Sequence, residues 1–216
     1  MERFTYLGSV ITNDATVSRD LDNRLSKASS AFGRLSKRVC QSHLLLLFTK
    51  IQVYRAVIIP SLLYGAEMWV LCRKQIGLLE WFCQCCLHSI LGMKWQDLMS
   101  NEEVLKRASL PSIESILLQV QLCWAGHITR MEDICVPKAV FFSELQEGEC
   151  DRGAPRKHYK DQLKRQLAQV GISHQSWQQE ALDQDSWHSS VRKASCDFEA
   201  ERHEAAKEKA GGRKSE

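Results

Sequence analysis

The chain has 216 residues, 44% of them apolar and 25% charged, enough to bury a core of ordinary size as one domain or as two small ones. Its formal charge of +3 is too small to name a partner, and nine cysteines, an odd number, exclude complete disulfide pairing. The most apolar stretch, 44–63, is interrupted by Lys50, Gln52, Arg55 and Pro60, which excludes the ~20 uninterrupted apolar residues of a membrane span.

The opening Met1-Glu2-Arg3-Phe4 lacks the apolar run of a secretory signal, so the expectation is an intracellular protein, nuclear or cytoplasmic, with reduced thiols and no membrane partner. Phe4 to Thr12 is rich in β-branched and aromatic residues and closes on Asn13-Asp14, the pattern of a strand or hairpin. A helix is expected from Ser18, where Leu21, Leu25, Ala28, Phe32, Leu35 and Val39 recur at steps of three and four. At ~100° per residue these six share one face, while Arg24, Lys27, Arg34, Lys37 and Arg38 form a separate basic stripe. From Arg19 to Arg55 eight basic residues stand against two acidic ones.

Further helical patterns run from His43 to Ile59, from Ser61 to Cys72 and from Lys74 to Leu91, the first two divided by Pro60 and the third stopped by Gly92. Ser100 with Glu103 makes a capping box for another helix, and Pro111 suits the first turn of a longer one ending near Met131. Asp151-Arg152-Gly153-Ala154-Pro155 breaks the pattern. Lys157 to Ala168 then reads as a basic helix and Gln175 to Trp187 as a shorter one. Beyond Cys196 few apolar anchors remain, which describes a frayed, solvated helix or disorder. The expected fold is mainly α. A strand or hairpin at 1–14 precedes a helical bundle at 15–136, a smaller helical subdomain at 137–195 and a charged, disordered tail at 196–216.

Nucleotide addition needs two or three carboxylates, two of them usually adjacent, holding a pair of metals about 4 Å apart, and no Asp-Asp pair lies on a strand-like hairpin here. Asp20 and Asp22 flank Leu21 but residues two apart do not face each other on a helix, so they read as favourable charge at a helix N-terminus. Cys83-x-x-Cys86 has the spacing of half a zinc site, with Cys123 and His127 as further candidates. Both cysteines nevertheless fall inside the apolar pattern Ile76, Leu79, Phe82, Cys86, Ile90, as buried small hydrophobes would. No metal, cofactor or catalytic residue is therefore expected. Leu62 to Trp69, with Trp81 and Phe82, reads as the packing heart, where Tyr64 and Trp69 supply large buried areas. Glu67, a carboxylate in that heart, would need Arg55 or a backbone amide. His127, after Gly126, reads as a core or interface histidine.

A second basic segment holds Arg152, Arg156, Lys157, Lys160, Lys164 and Arg165 against one aspartate. Tyr159 among these cations is placed to stack on an unpaired base, or simply to lie on a surface helix. Taken alone, the first basic stripe reads sooner as a solubilising face than as a row of phosphate contacts.

The order of short motifs decides how these alternatives are weighed. Phe4-x-Tyr6-Leu7-Gly8-Ser9, Leu62-Leu63-Tyr64-Gly65-x-Glu67-x-Trp69, Leu79-Glu80-x-Phe82, Leu87-x-x-Ile90-x-Gly92-x-x-Trp95-x-Asp97, Trp124-x-Gly126-His127-x-x-Arg130-Met131, and Gly153-x-Pro155 with Tyr159-Lys160-Asp161 follow one another over about residues 4 to 190. This succession resembles the C-terminal part of the endonuclease and reverse transcriptase polyproteins of non-LTR retrotransposons, the long interspersed elements. The chain departs from that pattern at Cys123 and His88, where the family usually carries basic residues, as a decayed or repurposed copy would.

The resemblance implies the end of a palm followed by a thumb, with the palm and endonuclease catalytic residues missing. It implies a primer-grip-like hairpin at Tyr6, Leu7 and Gly8, and a thumb whose basic stripe grips RNA or an RNA/DNA hybrid, complemented by a palm-bearing polypeptide. The competing expectation is a helical protein-interaction module, or an inert translated fragment that exposes apolar surface.

Overall fold

The computed structural model describes residues 3–6, 9–12, 17–97, 99–143 and 158–212, and within them the protein is mainly helical. The chain divides into two compact units, residues 1–117 with 203–216, and residues 118–202.

In the first unit, strands β1 (Arg3–Tyr6) and β2 (Ser9–Thr12) pair antiparallel, Arg3 opposite Thr12 and Tyr6 opposite Ser9. Helix α1 (Ser18–Leu35) runs into a π-turn at Ser36–Cys40. Helix α2 (Leu47–Val53), a second π-turn (Tyr54–Ile58) and α3 (Ile59–Leu63) then follow without a break. Pro60 therefore does not divide two helices, contrary to the expectation. A proline ring collides with the carbonyl four residues back in a regular α-helix; the wider turn just before Pro60 relieves that collision. Ser61 Oγ donates to Val57 O at 2.6 Å, giving a carbonyl of the distorted turn a further partner.

The helix expected from Ser61 to Cys72 is also corrected. Tyr64 is extended and Gly65 sits at φ 83°, a left-handed conformation that glycine adopts without strain, so the helix ends at Leu63 and a single 3₁₀ turn, Ala66–Met68, follows. Helix α4 (Arg73–Leu91) ends as expected on left-handed Gly92. Helix α5 (Asn101–Ala108) carries the full capping box, with Ser100 Oγ accepting from Glu103 N at 3.3 Å and Ser100 N donating to Glu103 Oε2 at 3.0 Å.

Leu21, Ala28, Ile58, Leu62, Leu79, Leu87 and Val104 form the centre of this unit's core, which also takes in Ile113 and Leu117 from the start of α6 (Ile113–Arg130). Trp69 is buried as expected, but Trp81 is 64% exposed and Tyr64 52% exposed, so neither belongs to the packing heart. Glu67 is half-buried, not a core carboxylate.

The second unit contains α7 (Val136–Phe142), α8 (Tyr159–Gln169), α9 (Trp177–Glu180) and much of α10 (Gln184–Gly212), with the later turns of α6. Its core gathers Leu118, Leu122, Ala125, Leu163, Leu167, Trp177 and Trp187. Trp187 is completely buried and its Nε1 donates to Leu122 O at 3.0 Å. Beside this core lies a buried amide cluster, where Gln121 Oε1 accepts from both Gln162 Nε2 (2.7 Å) and Gln166 Nε2 (2.5 Å).

The division at Leu117 and Leu118 differs from the boundary expected near Pro137 to Pro155. Adjacent leucines of one helix serve different cores there, which no composition shift announces. No helix among the described residues is long and apolar enough to cross a membrane.

Candidate nucleic-acid interface

Residues 23–66 contain Arg24, Lys27, Arg34, Lys37, Arg38, Lys50 and Arg55 and no aspartate or glutamate. Helix α1 packs on α3, and between α1 and the second π-turn lies an open groove of roughly 720 Å³, lined by Lys27, Ser30, Arg34, Val57, Ser61 and Tyr64 among others. Lys27 and Arg34 are exposed on its wall. They are seven residues apart, which places them nearly in line and ~10.5 Å apart along the axis.

Arg24 is the member of the stripe that the structure corrects. It is 5% exposed, because its position faces α3 and β2 rather than water. Its Nη2 donates to Ser9 Oγ at 3.2 Å, its Nε lies 3.9 Å from Asp20 Oδ1, and its guanidinium covers the Tyr64 ring 4.3 Å from the centroid. Asp20, also buried, accepts from Trp69 Nε1 at 3.1 Å. Asp20 is thus a core carboxyl group with a specific indole partner, not merely a side chain that suits a helix start. The Asp-x-x-x-Arg spacing, one helical turn apart, signals the Asp20 and Arg24 pair but not the indole.

This network brings two of the sequence motifs together. Ser9 belongs to the first, and Tyr64 and Trp69 to the second. A Cβ added at Gly65 would lie 3.3 Å from Ser9 Oγ, so the strand passes close beside the turn that follows α3. Leu7 and Gly8 of the primer-grip-like trio lie outside the described residues; Tyr6 is described at its backbone as the last residue of β1.

Lys37 and Arg38 are exposed, but on the π-turn. Such a turn advances less than 100° per residue, so the two do not continue the Lys27 and Arg34 row at α-helical phase. In the second basic segment Arg152, Arg156 and Lys157 lie outside the described residues. Lys160 Nζ donates to Ser143 O at 3.0 Å, while Lys164 and Arg165 are exposed on α8. Tyr159 packs edge-on against Phe141 with centroids 5.5 Å apart.

The thiols and the histidine sort by burial. Cys83 and Cys86 are buried in the first unit's core, where the Tyr54 hydroxyl lies beside Cys83. Burial pushes the Cys83 thiol up to about 11 and the Cys86 thiol up to about 12. His127 is exposed, 5.3 Å from the Trp124 ring, which corrects the core placement. The buried residue of that motif is Gly126, against which the Trp187 indole packs so closely that a Cβ would overlap it.

One further surface was not foreseen. Leu44, Leu46 and Phe48, at the entry to α2, stand in solvent, Leu44 at 95% exposure. Across all comparisons, no protein-family model, characterised protein or solved structure matches this chain.

Proposed function

We propose that this chain is a nucleic-acid-binding segment that grips a phosphate backbone through the groove beside α1 and carries out no catalysis of its own. That is the part played by the thumb of a non-LTR retrotransposon reverse transcriptase, which the motif order resembles. Its partners on this reading are RNA or an RNA/DNA hybrid and a palm-bearing polypeptide, met inside the cell. The observation that carries the reading is the 44-residue acid-free stretch 23–66, which folds into a groove walled by Lys27 and Arg34. A surface kept only for solubility gains nothing from excluding one sign of charge over such a length, whereas a polyanion is repelled by every interspersed carboxylate.

The test is a salt titration of binding to a labelled RNA/DNA hybrid. About four phosphate contacts give a log-log slope near −3.6, and a Lys27→Glu, Arg34→Glu, Lys37→Glu, Arg38→Glu variant should abolish binding. Arg24 is left intact because it holds the core. A slope that the four changes leave untouched would overturn the proposal. A second reading, a helical protein-interaction module, is favoured by the solvent-exposed Leu44, Leu46 and Phe48; it expects negligible phosphate binding and burial of those side chains on a partner.

A further inference from the structure

We propose that the groove receives an unpaired base on the Tyr64 ring, so that the nucleic acid it selects is single-stranded. This rests on the backbone-binding reading above and names the substrate class of the same site. Tyr64 is the first residue past α3, extended at φ −63° and ψ 120°, so its ring leaves the helix and lines the groove. One face of the ring is covered by the Arg24 guanidinium at 4.3 Å. Arg24 is itself fixed from behind by Ser9 and Asp20, and is buried, so the cation acts as a rigid backing plate. With that face closed, the base meets the ring on its other face, and the residue as a whole is 52% exposed.

A half-exposed aromatic ring backed by a cation is a stacking surface, since every base has a π-face and the cation holds the ring in place before the ligand arrives. Lys27 and Arg34 stand on the same groove wall ~10.5 Å apart along the helix axis, farther than one nucleotide step along a strand. They therefore meet separate phosphates of one strand while a base between them reaches the ring. In an intact duplex the base faces are occupied by their neighbours, and only phosphates and groove edges remain to be read. The same groove should thus hold a duplex by charge alone and a single strand by charge plus stacking.

The experiment uses the full chain and a pyrimidine-rich single-stranded oligonucleotide carrying one 2-aminopurine, compared at equal salt with the same sequence as a blunt duplex. The single strand should bind about tenfold more tightly, with 2-aminopurine emission quenched on binding. Tyr64→Leu should lose about tenfold for the single strand, leave the duplex and the salt slope unchanged, and abolish the quenching; Tyr64→Phe should keep all three. If wild-type protein binds without altering the emission, stacking is refuted, however any variant folds. If Tyr64→Leu binds like wild type while Lys27→Glu with Arg34→Glu abolishes binding, the base-stacking proposal fails and the backbone grip stands. If neither substitution matters, both fail.

Discussion

Replacing Gly126 by alanine isolates the packing of the second unit in a single methyl group. The added Cβ would overlap Nε1 and Cδ1 of Trp187 and stand 3.0 Å from Cε2. Trp187 is completely buried and cannot swing into solvent, so the indole or the helix has to shift. Overpacking of this kind costs about 1–3 kcal/mol. A shift that breaks the Trp187 Nε1 bond to Leu122 O adds about 1–3 kcal/mol for a buried donor left unsatisfied. Against this, alanine in a helix interior gains about 1 kcal/mol over glycine, so the net expectation is a loss of about 3 kcal/mol. Gly33 in α1 and Gly77 in α4 supply the control, because a Cβ at either meets nothing within 4 Å. Gly33→Ala and Gly77→Ala should stabilise by about 0.5–1 kcal/mol. Urea unfolding followed by far-UV circular dichroism and tryptophan fluorescence reads all three. Equal stability of Gly126→Ala and Gly33→Ala would refute the idea that the indole needs a glycine there. Trp187→Leu should remove most of the difference between glycine and alanine at 126, as a double-mutant cycle.

Arg24→Met leaves the Asp20 carboxyl buried without its arginine and should cost about 3 kcal/mol, whereas Asp20→Asn with Arg24→Met together should cost clearly less; urea midpoints that simply add would refute the buried-pair reading. Cys83 and Cys86 stay protonated in the folded chain up to about 11 and about 12, above the ordinary thiol value of 9.0. Between pH 9 and those values the unfolded state binds fewer protons than the native one, so stability is whole below pH 9 and falls as pH rises, by up to about 1.4 kcal/mol per unit for each thiol. A Cys86→Ala variant should show a shallower alkaline loss of urea midpoint, and an unchanged slope would refute the assignment. In native protein, exposed Cys85 should react with a disulfide reagent well before Cys40, Cys83 or Cys86, and equal rates for all four would contradict their burial.

What could be read from the sequence was the chemistry that acts over three or four residues. Gly92 as a left-handed stop and the reciprocal Ser100 and Glu103 cap depend only on their neighbours. What could not be read was set by partners far along the chain. Arg24 shares its sequence context with Lys27 and Arg34, yet Ser9 and Tyr64 bury it and leave the others in water. Asp20 takes its role from Trp69, 49 residues on. Trp81 sits in an apolar pattern, but nothing in that pattern says which of its bulky members the core has room for. Of the site, the charge was visible and the groove was not, because the groove exists only where α1 and the second π-turn approach.

The two π-turns also set how this chain can vary in length. A π-turn holds one residue more than an α-helical turn, so loss of a single residue within Ser36–Cys40 closes the bulge and keeps the old angular phase, whereas the same loss within Tyr54–Ile58 also returns the Pro60 ring to the collision that the wider turn relieves. The same loss from the interior of α4 or α6 would rotate all that follows by ~100° and turn core leucines outward. Natural length polymorphism should therefore be found at the first bulge rather than the second, and motif spacings counted across it should be allowed to slip by one.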